Sequence, residues 1–286
     1  MERVLGIEVP PSLWESWWSW LAPSPQPFFV HKAMAADLAE GMGALTPEQR
    51  HTYALWGVDD TDVAVAWLDE RTFEELPRTQ RAVLVREQVV RRRGEVPSVR
   101  RWADLVDPGL LREQADGHRF VWWPSMAEGT TRRAIVRRRV LHDQVPSRHR
   151  EVPYPVWTAA ARPLPGARDL AGTFPERGEH NCFGTVMAAA GAMDPAATWA
   201  DREATEAWLA TATAPCGRGT DDLPGTVLLW RNASGEVDHA AVTIGAGWAF
   251  EKCSEDWWRP RHVLAVADVI RAARYAGNRL ERRSMR

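Results

Sequence analysis

Residues 237–253 constrain the fold more than any other stretch of the chain. Val237 to Ile244 reads as a strand, Gly245-Ala246-Gly247 as a turn, and Trp248 to Cys253 as a second strand. With those three turn residues as the loop and Gly247 in the left-handed position, Ile244 faces Trp248, Val242 faces Phe250 and Ala240 faces Lys252. The first two pairs are apolar and make a core face. The opposite face carries His239, Ala241 and Thr243 on one strand and Ala249, Glu251 and Cys253 on the other. His239 and Glu251 then lie diagonally near each other, and the small alanines leave room around them. A slip of one residue would set Lys252 opposite His239 and bury nothing well, so the first register is expected. Pro224 to Trp230 reads as a preceding strand, with Asn232 to Gly235 as the turn between.

The first 150 residues have a different grammar and read as mostly helical. Ser12 followed by Glu15 has the spacing of a capping box, and Trp14, Trp17, Trp18 and Leu21 follow at helical spacing. So aromatic a face either docks on the protein's own core or offers Trp14, Trp17 and Trp18 to a protein partner or a lipid surface. Thr46-Pro47-Glu48-Gln49 supplies a cap, a proline at the first position and an acid in the first turn. Between Thr79 and Arg93, the residues Ala82, Val85 and Val89 recur at helical spacing. Val83-Leu84-Val85 would also suit a strand, and helix is the preferred reading. Pro146, Pro153, Pro155, Pro163 and Pro165 then mark extended chain or a linker. The expected division is therefore a mostly helical domain over residues 1–154, with no assignable role, and a second domain over residues 155–286.

Composition narrows the class. A chain of 286 residues has length for two ordinary domains, and 45% hydrophobic with 26% charged residues excludes wholesale disorder. No apolar run approaches the ~20 residues of a membrane span. The opening MERVLGIEVPPSLWESWWSW lacks a basic segment followed by an apolar one, so a secretory signal is not expected. Three cysteines are too few for a disulfide scaffold. These features fit a soluble cytoplasmic protein. All but Lys32 and Lys252 of the 36 basic residues are arginines, as in a bacterial genome rich in G and C, and there are 16 tryptophans. Residues 78–150 hold 17 arginines, a number able to grip phosphates. Acidic and apolar residues are interspersed among them, so solvated helix faces are expected and nucleic-acid binding is not.

The chemistry gathers in the second half. His180-Asn181-Cys182-Phe183-Gly184-Thr185 leads into an alanine-rich helix former, which sets Cys182 at a helix N-terminus. There the unpaired N–H groups and the helix dipole stabilise a thiolate and can hold an oxyanion. A second helix is expected from Asp194-Pro195, carrying Trp199, Trp208 and Leu209. A cysteine opening a helix, then a hairpin with a histidine on its first strand and a polar residue twelve positions later, resembles the NlpC/P60 and CHAP branch of papain-like cysteine hydrolases. The stretches that carry the likeness are 181–185, 224–230 and 239–245 with Glu251, within roughly residues 175–270. The resemblance implies an α+β fold of helix and antiparallel sheet, with Cys182 as nucleophile, His239 as base and Glu251 orienting the histidine. Asn181 and Phe183 replace the acidic and small residues that often flank the family's cysteine, and Glu251 stands where His, Asn or Gln is commoner.

These residue types imply acyl transfer through a thioester. The substrate would be a peptide, an amide or a small acyl compound, and the acceptor water or an amine. Asn181 and His180 are candidate oxyanion or substrate contacts, Trp248 and Cys253 candidate pocket residues, and His262 a reserve base or substrate contact. Trp257, beside Trp258, either walls the cleft or fills core. Cys216 is expected to be a bystander. Cys182, His239 and Cys253 lack the paired spacing of a zinc site, so neither metal nor cofactor is expected. Two other functions fit the same residues: a non-catalytic scaffold that keeps the fold, and a cell-wall peptide-cleaving effector exported without a signal peptide.

Overall fold

The computed structural model describes residues 2–32, 45–55, 63–178, 180–194 and 199–286. Contacts divide the chain into Pro10–His142 and a second unit of Met1–Val9 with Asp143–Arg286. The change therefore falls between residues 142 and 143, earlier than the sequence placed it, and the first nine residues join the second unit. The reason is that the proline-rich stretch is packed chain. The Ser147 amide donates to Leu5 O at 3.0 Å, and the Arg148 amide to Val263 O at 2.8 Å. Pro155 lies in the first turn of a helix that buries Trp157 and Ala160.

In the unit Pro10–His142, helix α1 (Pro11–Leu21) buries Leu13, Trp14, Trp17, Trp18 and Leu21. Trp17 is fully buried, and Trp14 and Trp18 are each 4% exposed. Of the two readings of this aromatic face, docking on the protein's own core is the one the burial supports. The helix begins at Pro11 with no side-chain cap, so Ser12 and Glu15 form no capping box. Strands β3 (Gln26–His31) and β4 (Val63–Leu68) pair antiparallel. Thr46 caps α2 (Pro47–Tyr53) through a reciprocal capping box with Gln49. The helix α4 (Arg78–Val90) settles the ambiguous valine run, with Leu84, Val85 and Gln88 inward and Val89 exposed. Arginines and tryptophans meet face to face: Arg132 lies over Trp18 at 5.2 Å, Arg133 over Trp14 at 5.3 Å and Arg138 over Trp102 at 5.3 Å.

The second unit is α+β. Its first element is a hairpin, β1 (Glu2–Val4) and β2 (Ile7–Val9), closed by Leu5 and Gly6, both at positive φ as a two-residue hairpin turn requires. Its main sheet has six strands, β5 (Thr213–Pro215), β6 (Pro224–Arg231), β7 (Val237–Gly245), β8 (Trp248–Lys252), β9 (Arg261–Ala265) and β10 (Arg279–Met285), in the order β5-β10-β6-β7-β8-β9. Every neighbouring pair is antiparallel.

The two sheet faces are sorted by the period-two alternation of the strands. Leu229, Val242, Phe250 and Val263 pack with Val186, Met187 and Ala189 of α10 (Cys182–Ala189) and with Trp157. Leu228, Trp230, Ala241, Ala249 and Leu264 pack with Val266 and Val269 of α12 (Val266–Ala272). The helix expected at Asp194-Pro195 begins later, as α11 (Arg202–Ala212), because Asp201 is the residue whose side chain accepts the Ala204 amide. Trp199 precedes that helix, and Pro195 lies outside the described residues.

Val242 faces Phe250 as expected, and Ala241 faces Glu251. At the turn the expectation fails: Gly245, not Ile244, faces Trp248, because the ladder shifts between Thr243 and Gly245. The alanine face also differs from an open cleft, since α12 covers Ala241 and Ala249. None of the described helices is long and apolar enough to cross a membrane. Filling the alanine layer tests this packing. Ala241→Leu is expected to lower unfolding free energy by about 1–3 kcal/mol in urea titration, whereas an open cleft would accept it at no cost.

Candidate active site

Asn181 sets the start of α10. Its Oδ1 accepts the Gly184 amide at 2.8 Å and the Ala200 amide at 3.3 Å, while Nδ2 donates to Ala200 O at 2.7 Å. All of its side-chain polar atoms are thus spent on capping the helix and fastening the chain before α11. Asn181 is a clamp for the helix start. The Thr185 amide bonds to Asn181 O at 3.1 Å, which leaves the Cys182 and Phe183 amides ahead of the helical ladder.

Cys182 follows as the first residue of α10 and is 6% exposed. The candidate base, His239, stands on β7. His239 lies where the β6–β7 pairing shifts between Trp230 and Arg231, and it sits directly across from Trp230. The two rings are 5.1 Å apart and tilted by 42°. His239 Nε2 is 2.9 Å from Glu251 Oε2 on β8. On β9, directly opposite Glu251, His262 places Nε2 3.2 Å from Glu251 Oε1. Cys182, His239 and Glu251, three positions far apart in sequence, are thereby brought together, with His262 as a fourth member.

Electrostatics binds them. Burial works against a charged His239, but the hydrogen bond and charge of Cys182, followed by those of Glu251, raise it to about 10. Burial would raise the Glu251 carboxyl, yet hydrogen bonds from His239 and His262 hold it down at about 2. Both residues are nearly sealed, at 5% and 2% exposed, so these interactions are little screened by water.

The other candidates are held as follows. His180 is buried, its Nδ1 accepting from Arg261 Nη2 at 3.2 Å. Trp248 opens β8 at the end of the strand away from Glu251, with the Arg148 guanidinium 4.6 Å over its ring. Trp257 is fully buried, edge-on to Trp258 at 5.0 Å, so it fills core and walls no cleft. Cys253, half-buried, follows β8, and burial pushes its thiol up to about 11. Cys216 Sγ lies 3.2 Å from Thr220 Oγ1.

Sequence reasoning missed Trp230, which backs the His239 ring. Its signal was there: an aromatic directly across from the histidine once the β6–β7 register is drawn. It also missed Tyr275, whose phenol is raised by burial and then by the charges of Cys253 and Glu251. Among the described residues, no group of three His, Cys, Asp or Glu side chains is placed to hold a metal ion. No protein-family model, curated protein or solved structure matches the chain.

Two outcomes are expected. Asn181→Ala should cost about 1–2 kcal/mol of stability in urea unfolding through loss of the cap. The Glu251 carboxyl is lower in the folded chain than its ordinary 4.5, so its contribution is complete above that pH and is lost as pH falls toward 2. Wild-type stability should fall through this window more steeply than that of Glu251→Gln. Equal slopes would show that Glu251 is not held by its two histidines.

Proposed function

We propose that this protein is a cysteine-nucleophile amidase, peptidase or acyltransferase, and that its second unit has the papain-like arrangement of the NlpC/P60 and CHAP branch. One observation carries the reading. His239 is held by Glu251 at 2.9 Å through Nε2, while Cys182, at the tip of a helix, acts on the same imidazole and raises it.

The roles follow from the atoms. The pair reacts as a thiolate facing an imidazolium, a role for which His239, raised to about 10, is suited. The thiolate attacks the carbonyl carbon, and the amide N–H of Cys182 faces the oxyanion. His239 Nδ1–H gives its proton to the leaving amine as the C–N bond breaks, which leaves a thioester on Cys182. Water or an amine then attacks the thioester, His239 takes up its proton, and the C–S bond breaks. Glu251 keeps the ring aligned and its charge compensated throughout. Choice of water or amine as acceptor decides between hydrolase and transferase.

The test uses p-nitrophenyl acetate as acyl donor, with intact-mass detection of an acetyl adduct. Cys182 is expected to acetylate well ahead of Cys216 and Cys253, and Cys182→Ala to remove the fast adduct without unfolding. His239→Ala should slow acetylation by about 100-fold or more. Acetylation of Cys182 no faster than of Cys216 would end the enzyme reading.

A further inference from the structure

Strand β9 holds a side chain that the acyl-transfer steps do not use. His262 is 4% exposed, and its Nε2 is 3.2 Å from Glu251 Oε1. Its Nδ1 is buried with no hydrogen-bond partner. A histidine in such a place forfeits the hydration of one ring nitrogen, and an apolar side chain would fill the space without that loss. What an apolar side chain cannot supply is the N–H that meets Glu251.

The backbone around His262 is pinned on both sides. The Val263 amide donates to Ser147 Oγ at 3.1 Å, and the Arg148 amide donates to Val263 O at 2.8 Å. The Arg261 amide donates to Thr173 O and Arg261 O accepts the Gly172 amide, each at 2.8 Å. His262 therefore projects from a fixed point, directly opposite Glu251 in the β8–β9 ladder. His239 meets the same carboxylate diagonally, across the β7–β8 ladder in which Ala241 is the residue opposite Glu251. A glutamate held at one oxygen alone can swing about its side-chain torsions. Held at both, it has one orientation.

Resting on the reading above, we propose that His262 is a positioning residue. Its Nε2–H locks Glu251 through Oε1, so that Oε2 fixes the His239 ring with Nδ1 toward Cys182. The geometry excludes the substrate-contact role expected for His262, since its one hydrogen-bonding nitrogen faces Glu251 and the other is sealed. Nor does His262 act as a reserve base, because its Nδ1, the nitrogen not facing Glu251, is buried with no hydrogen-bond partner.

The test combines imidazole proton and nitrogen NMR with the acetylation rate of Cys182. In the wild-type chain His262 should carry its proton on Nε2, in slow exchange with water. A proton on Nδ1 instead would overturn the proposal without any variant. His262→Phe removes the donor and keeps a ring; His262→Gln keeps an N–H at nearly the same reach. In the Phe variant the His239 Nε2 proton signal should shift or be lost, and acetylation should slow about tenfold or more, with the Gln variant close to wild type. A folded Phe variant with the His239 signal and the rate unchanged would overturn the positioning role while leaving the enzyme reading intact. Slow acetylation of wild-type Cys182 would sink the enzyme reading instead, and the NMR arm would still decide what His262 does to His239.

Discussion

A single buried carboxylate organises the second unit. Glu251 is 2% exposed and both of its oxygens are taken, one by His239 and one by His262. An unpaired charge at that depth would be costly, and removing one partner of a buried pair costs about 3–5 kcal/mol. Three consecutive strands, β7, β8 and β9, must therefore hold their registers together. A slip of either ladder would turn an imidazole to the other face of the sheet and strand the charge. The same requirement brings a histidine to the point where Cys182 opens α10, so the arrangement that keeps the sheet in register also builds the thiol–imidazole pair.

The other unit uses its charge differently. The arginine and tryptophan excess, two separate oddities of composition, turns out to be one kind of contact. Arg132, Arg133 and Arg138 lie over Trp18, Trp14 and Trp102. A guanidinium is weakly hydrated and planar, so it covers an indole face while keeping its own edge polar. Arg138 also reaches Asp104 through two hydrogen bonds at 2.7 and 2.5 Å. A stretch with 17 arginines thus has a structural use for several of them, and the aromatic face of α1 is committed to the core.

What the sequence revealed and what it hid follow the same physics. The hairpin of β7 and β8 was legible because alternation is local: Val242 and Phe250 identify each other with no knowledge of the rest. The helix start at Cys182 was legible for the same reason. What eluded the sequence depended on distant partners. Nothing near Ala241 and Ala249 tells that α12 will fill the space above them. Nothing near His262 tells that it will sit across from Glu251, since the β8–β9 connection carries no turn signal that sets a register. Asn181 was read by its chemistry as an oxyanion donor, and its bonds to Ala200 come from a segment nineteen residues on. The hairpin Glu2–Val9 was overlooked because Leu5-Gly6 lacks the asparagine or aspartate that usually marks a two-residue turn.

That short hairpin has a consequence for how the chain is made. Its partners lie beyond Asp143, where Ser147 donates to Leu5, so the whole unit Pro10–His142 is threaded between the two parts of the other. On the ribosome the hairpin emerges ahead of everything it must pair with. At roughly 5–20 residues per second, synthesis of the intervening unit takes on the order of ten seconds. Throughout that interval the Leu5 carbonyl lacks the Ser147 amide that it accepts in the finished protein. The unit that holds the thiol cannot close until the chain beyond Asp143 has been made.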